Sequence, residues 1–85
     1  MTVRYYFHTN DGTPHRDDTG LDLADDDAAR REAVRFGGGL LGDNPDMIRN
    51  DRGLRIDVTN DAGRLCFAVI VLAVDANWDG SAAPA

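Results

Sequence analysis

The sequence has no lysine and no glutamine, and only one cysteine and one serine. Without lysine there is neither a P-loop cation nor a Schiff-base amine. The lone serine, Ser81, stands near the end of the chain with no base beside it, and a serine nucleophile needs one. Cys66 cannot form an internal disulfide and sits among Leu65, Phe67 and Ala68, where a buried, inert thiol is expected. Basic charge is scarce: nine arginines against fifteen acids leave a net charge of −6, which argues against binding a phosphate backbone. The longest apolar run, Leu65 to Val74, has ten residues, where a bilayer-spanning helix needs about 20. No basic stretch followed by an apolar one opens the chain, so no export signal, no membrane partner and a cytoplasmic location are expected.

Eighty-five residues make one small acidic domain. A domain of this size buries only about 60 to 65% of the surface of its unfolded chain, which leaves little room for a deep cleft beside a core. Fourteen of the fifteen acids are aspartates, and they gather at turns and at a helix start, where short carboxylates satisfy backbone N–H groups.

Val3, Tyr5 and Phe7 alternate with Arg4, Tyr6 and His8, which predicts a half-buried strand over residues 3 to 9. Asn10-Asp11-Gly12 reads as a turn, and a short strand over Gly20 to Leu23 returns along the first. Asp25 is a helix cap, with Asp26 and Asp27 over the positive end of the helix dipole. Ala29, Ala33, Phe36 (or Gly37) and Leu40 form one stripe that covers the sheet. Gly37-Gly38-Gly39 weakens this helix by about 1 kcal/mol per glycine relative to alanine, so its end lies near Phe36 or, if Leu40 and Leu41 are held by packing, near Leu41. Residues 42 to 53 read as a loop anchored by Met47 and Ile48. Leu54, Ile56 and Val58 then alternate with Arg55, Asp57 and Thr59, and Asn60 to Gly63 turn the chain into the strand Leu65 to Val74.

The fold class is α+β: a small antiparallel sheet of three to four strands in the order β-β-α-β-β, with one helix on one face. Residues 1–75 form the domain and 76–85 a flexible tail. The last strand is apolar on both faces, whereas one helix covers only one side of a small sheet. Its second side needs the tail through Trp78, the 42 to 53 loop, or another copy of the protein. Leu65, Phe67, Val69, Ile70, Val71, Leu72 and Trp78 are therefore the candidate self-association residues, and a homodimer is the expected state.

The chain offers three chemical constellations. His8, Asp11, His15, Asp17, Asp18 and Asp22 are metal-ligand types in one stretch, but their spacing matches no standard site and a solvated loop accounts for them. Asp75-Ala-Asn77-Trp-Asp79-Gly80 matches the first half of a calcium loop, yet the bidentate glutamate at its twelfth position would fall at residue 86, and no helix precedes it. Arg4-Tyr5-Tyr6-Phe7 places a cation beside three aromatics, but Tyr5 and Phe7 belong to the core and the net charge repels phosphate. The expectation is a protein without catalytic residues, metal, cofactor or nucleic-acid partner.

Arg4-Tyr5-Tyr6-Phe7-His8, Asp18-Thr19-Gly20, the helix start at Asp25 with Ala28-Ala29 and Glu32-Ala33, and the hairpin Ile56 to Arg64 together resemble a family of small uncharacterised bacterial proteins, a domain of unknown function. The resemblance spans about residues 3 to 72 and implies an architecture but no site. The segment Asp22 to Val34 is similar in shape to the antitoxin half of the HicA and HicB toxin and antitoxin pairs. That likeness implies an inhibitor whose partner is a basic ribonuclease, drawn in by complementary charge. The leading expectation is a non-catalytic protein-interaction or regulatory module, with the antitoxin-like inhibitor second and a metal-dependent enzyme a distant third.

Overall fold

The computed structural model describes residues 1–48 and 53–74. Along them run β1 (Val3–Asn10), β2 (Pro14–His15), β3 (Leu21–Leu23), α1 (Asp26–Asp43), a 3₁₀ turn at Pro45–Met47, β4 (Gly53–Asn60) and β5 (Leu65–Leu72). Every strand pair is antiparallel; the lateral order is β2-β1-β4-β5, and β3 shares the outer edge of β1 with β2. The α+β class expected from the sequence is present, but the sheet has five strands rather than three to four. The extra one is β2, where Pro14 and His15 pair with Asn10 and Thr9 beyond the turn. Proline has no N–H to give a ladder and is accommodated here at the sheet's edge.

Alternation sets the faces. Tyr5 on β1 and Leu54, Ile56 and Val58 on β4 are buried under the helix. Register carries this face into β5, where Val71, Val69 and Phe67 stand opposite Leu54, Ile56 and Val58. The other face presents Arg4, Tyr6 and His8 on β1 beside Asp57 and Thr59 on β4, and it is polar enough to meet water. Only on β5 does that second face become apolar.

The helix packs closely because it turns small residues inward: Ala29, Ala33 and Gly37, at steps of four, are its buried positions. Gly37, rather than Phe36, completes the stripe, and a Cβ there would stand 3.1 Å from Ile56 Cδ1. Phe36 leans aside instead, its ring 6.5 Å from that of Phe7 and edge-on to it. On the opposite flank the Arg30 guanidinium lies 5.4 Å over the Phe67 ring. One flank of α1 therefore overlooks β1 and the other overlooks β5.

The helix does not stop at Phe36 or Leu41; it runs through the three glycines to Asp43. Leu40 and Leu41 pack against the core, and Asn44 closes the end by donating its backbone N–H to Leu40 O at 2.9 Å and its side-chain amide to the same oxygen at 3.1 Å. The front end follows expectation, with Asp25 Oδ1 accepting the Ala28 N–H at 2.9 Å. Of the loop expected over 42 to 53, residues 42 and 43 are helical and 45 to 47 form the 3₁₀ turn. Met47 packs against the core. The β4–β5 turn forms as read: Gly63, with φ of 81°, donates to Asn60 O at 2.9 Å. β5 ends at Leu72 rather than Val74.

Candidate functional site

The two outer edges of the sheet are finished differently. On one side β1 pairs with two short strands that leave a gap: β3 covers Val3 to Tyr5 and β2 covers Thr9 and Asn10. Between them the Asp17 side chain takes the place of a strand. Its Oδ2 accepts the Phe7 N–H at 3.1 Å, and its Oδ1 accepts those of Thr19 and Gly20 at 2.9 and 3.1 Å. Partial burial pushes the Asp17 carboxyl up, but the three backbone donors outweigh it, so the group titrates below the ordinary aspartate value. Gly20, at φ of 74°, lets the loop lie against β1; a Cβ there would meet Arg4 Cγ and Tyr6 Cε2 at 2.9 Å.

His8 joins the same cluster. Its Nδ1 accepts the Asp17 N–H at 3.0 Å; a backbone amide can only donate, so the ring proton resides on Nε2, which faces Thr59 Oγ1 at 3.1 Å. Nδ1 thus holds the loop, while Nε2 ties His8 across to β4. Among the other candidate ligands, Asp22 forks onto Arg4 at 3.0 and 3.2 Å, Asp18 lies 3.5 Å from Arg16, and Asp11 accepts the Thr13 N–H at 3.2 Å. Among the described residues no three His, Cys, Asp or Glu side chains come together as a metal site. The Asp75, Asn77 and Asp79 constellation lies outside the described residues.

A second cluster joins sheet to helix. The Tyr5 hydroxyl donates to Asp26 Oδ1 at 2.6 Å, and this bond, helped by burial, pushes the Tyr5 pKa up to about 12. Cys66 is half-buried rather than fully buried, with Sγ 3.7 Å from Arg64 O, and burial pushes its thiol up as well. An open groove of about 370 Å³ separates α1 from the outer edge of β1, with Phe7, Phe36 and Leu21 as its apolar lining and His15, Arg16 and Glu32 among its polar residues. Glu32 is tied to Arg35 at 2.8 Å.

The other outer edge is β5, and among the described residues no strand pairs with its far side. It is eight residues long and has no charge and no proline. Six of the seven candidate self-association residues lie on β5 and divide between its two faces. Phe67 and Val69 pack against the core, and Val71 is half-buried opposite Leu54. Leu65, Ile70 and Leu72 are 52%, 60% and 55% exposed. Trp78 lies outside the described residues. Sequence reasoning missed Val34, which is 58% exposed and lies one turn on from Arg30 on the flank overlooking β5. It also missed the part played by Asp17, although Asp17-x-Thr19-Gly20 carries the signal of a side-chain-closed turn.

Among the described residues no helix is long and apolar enough to cross a membrane. No curated protein and no solved structure matches the chain. One family model does, over residues 4–73, a span that takes in β2, β3, α1, β4, β5 and all but the first residue of β1. The chain belongs to the family of the domain of unknown function DUF6894.

Proposed function

We propose that this chain is a non-catalytic protein-interaction module that takes up its partner by strand addition along β5. The observation that carries the reading is the contrast between the sheet's two edges. The outer edge of β1 is guarded in the ways that prevent unwanted pairing: short strands, a proline, the charged side chains of Asp22 and Arg4, and the Asp17 carboxylate. Among the described residues β5 has none of these guards along its eight residues. A long, apolar, unguarded edge is a liability unless something pairs with it, and main-chain hydrogen bonds with alternating side-chain contacts are the means of strand addition. The non-catalytic part is supported by the use made of the polar groups: Asp17 closes the β2–β3 loop and binds it to Phe7 of β1, His8 holds that loop through Nδ1 and meets Thr59 of β4 through Nε2, and Asp22 ties β3 to Arg4.

A photo-reactive amino acid at position 70 tests this in living cells, with the same group at Arg31, on the solvent side of α1, as the control. One discrete adduct from position 70, identified by mass spectrometry and lost when Ala68→Pro removes an N–H that points away from β4 along the strand's outer edge, is the expected result. Adducts from position 31 alone, or from neither position, would overturn the reading.

A further inference from the structure

We propose that the partner added to β5 is a second copy of this chain, joined antiparallel across a two-fold axis so that the two sheets become one. The inference rests on β5 being the pairing edge and adds the identity of its occupant.

Charge points to self-pairing. The chain carries a net charge of −6, so a foreign partner recruited by complementarity would be basic. Yet Leu65–Leu72 has no acidic residue for such a partner to meet. The strip is neutral, and its complement is another neutral, apolar strip. A two-fold arrangement supplies one automatically, because the same patch serves both sides of the contact. It also places the charge of each copy away from the line of contact, so that two acidic molecules meet where they repel least.

The positions of the exposed apolar side chains agree on both faces of the joined sheet. On the open face Ile70 and Leu72 project beside the edge, 60% and 55% exposed. On the helix face, α1 brings Val34 to the flank above β5, four residues after the Arg30 that covers Phe67. A two-fold axis normal to the sheet puts both helices on the same side, so each copy's Val34 flank is turned toward the junction.

Area sets the strength. A standard interface takes about 800 Å² from each partner, about an eighth of this chain's 6115 Å². A strand of eight residues offers a strip roughly 27 Å long and about 10 Å deep, well short of that. The core of one copy is complete in itself, with Tyr5, Ala29, Ala33, Leu54, Ile56 and Val58 buried. The pair is therefore a reversible equilibrium between folded monomers rather than an obligate dimer.

Sedimentation of the full chain from about 10 μM to about 1 mM, a range that brackets weak association, tests the proposal. The expected result is a monomer–dimer equilibrium that Ile70→Lys weakens at least about tenfold, since it sets like charges near one another across the strands. Val3→Lys, on β1, leaves it unchanged. Added salt leaves the dimer intact or strengthens it, whereas a complex with a basic nuclease would weaken. Should Ile70→Lys perturb folding, amide exchange of the unsubstituted chain gives a second reading: β5 amides gain protection as concentration rises. A chain that stays monomeric at about 1 mM, while position 70 captures a different protein in cells, overturns self-pairing and leaves strand addition standing. A dimer indifferent to Ile70→Lys, with no concentration-dependent protection of β5, overturns self-pairing through this edge. A monomer with no adduct at position 70 overturns both.

Discussion

The Asp17 carboxylate binds the Phe7 backbone N–H at 3.1 Å and so closes the middle of β1's outer edge, where neither β2 nor β3 reaches. One aspartate thereby does what a strand residue would do. The cost is that the edge depends on a titratable group: a carboxylate accepts three backbone N–H bonds here, and a protonated acid has fewer lone pairs to offer. Among the described residues the β5 edge has no such closure, and this contrast is what favours that side of the sheet for the proposed pairing.

Asp17→Asn keeps an acceptor for Thr19 and Gly20 but turns an amide N–H₂ toward the Phe7 N–H. It is expected to cost about 1.5 to 3 kcal/mol at neutral pH, the range for a hydrogen bond to a charged group. The pH dependence has a definite sign. The folded-state pKa of Asp17 is depressed, so its stabilisation is present above the ordinary aspartate value of about 3.9 and is lost as pH falls through the lower folded value. Urea unfolding at neutral pH and below about pH 4 should therefore show the variant's deficit shrinking in acid. A deficit that stays constant with pH would exclude this role.

Tyr5 works at the other end of the pH scale. Its folded-state pKa is pushed up from 10.0 to about 12, so the stabilisation it contributes is present below pH 10 and lost as pH rises from about 10 to 12. Tyr5→Phe removes the bond to Asp26 Oδ1. Thermal unfolding of that variant should have a lower midpoint at pH 7, and the gap from the parent chain should narrow across the alkaline window.

Gly38 and Gly39 are exposed on α1, and a Cβ at either meets nothing within 4 Å. Nothing in the packing requires glycine there. Gly38→Ala and Gly39→Ala are each expected to stabilise the chain by about 0.5 to 1 kcal/mol. At this chain length that corresponds to a rise of roughly 2 to 8 °C in Tm. Calorimetry showing a loss of stability at either position would mean that the helix's outer surface is covered in a way the single chain does not reveal.

The same glycines mark the limit of what the sequence made legible. Period-two alternation in Val3 to His8 and Leu54 to Thr59 located β1 and β4 because each buries one face. Asp25 located the helix start because a cap works through its nearest neighbours. The helix end was not legible, because local propensity opposes Gly37 to Gly39 and the forces that override it, the packing of Leu40 and Leu41 and the Asn44 cap, come from the assembled fold. Apolar residues on both sides of β5 marked it as unusual. Which of them face the core depends on register with β4, so Phe67 and Val69 could not be separated from Ile70 and Leu72 in advance.

Gly37 differs from its two neighbours because it sits on Ile56, whose side chain is fully buried. A Cβ at 37 would approach Ile56 Cδ1 to 3.1 Å, so the helix gain of Gly37→Ala is offset by the displacement of a packed methyl group. Alone, the substitution is expected to fall short of Gly38→Ala by about 1 kcal/mol. Ile56→Val deletes that methyl and costs about 0.5 to 1.5 kcal/mol through the space it leaves. Combined, the two changes should interlock: the new Cβ enters the space vacated by Cδ1, and the double variant recovers stability that the sum of the single effects does not predict. A double-mutant cycle should return a favourable coupling of at least about 0.5 kcal/mol, as expected for residues in contact. Strict additivity would mean that α1 shifts away from β4 to admit the methyl group. The small-residue stripe of Ala29, Ala33 and Gly37 would then not set the distance between helix and sheet.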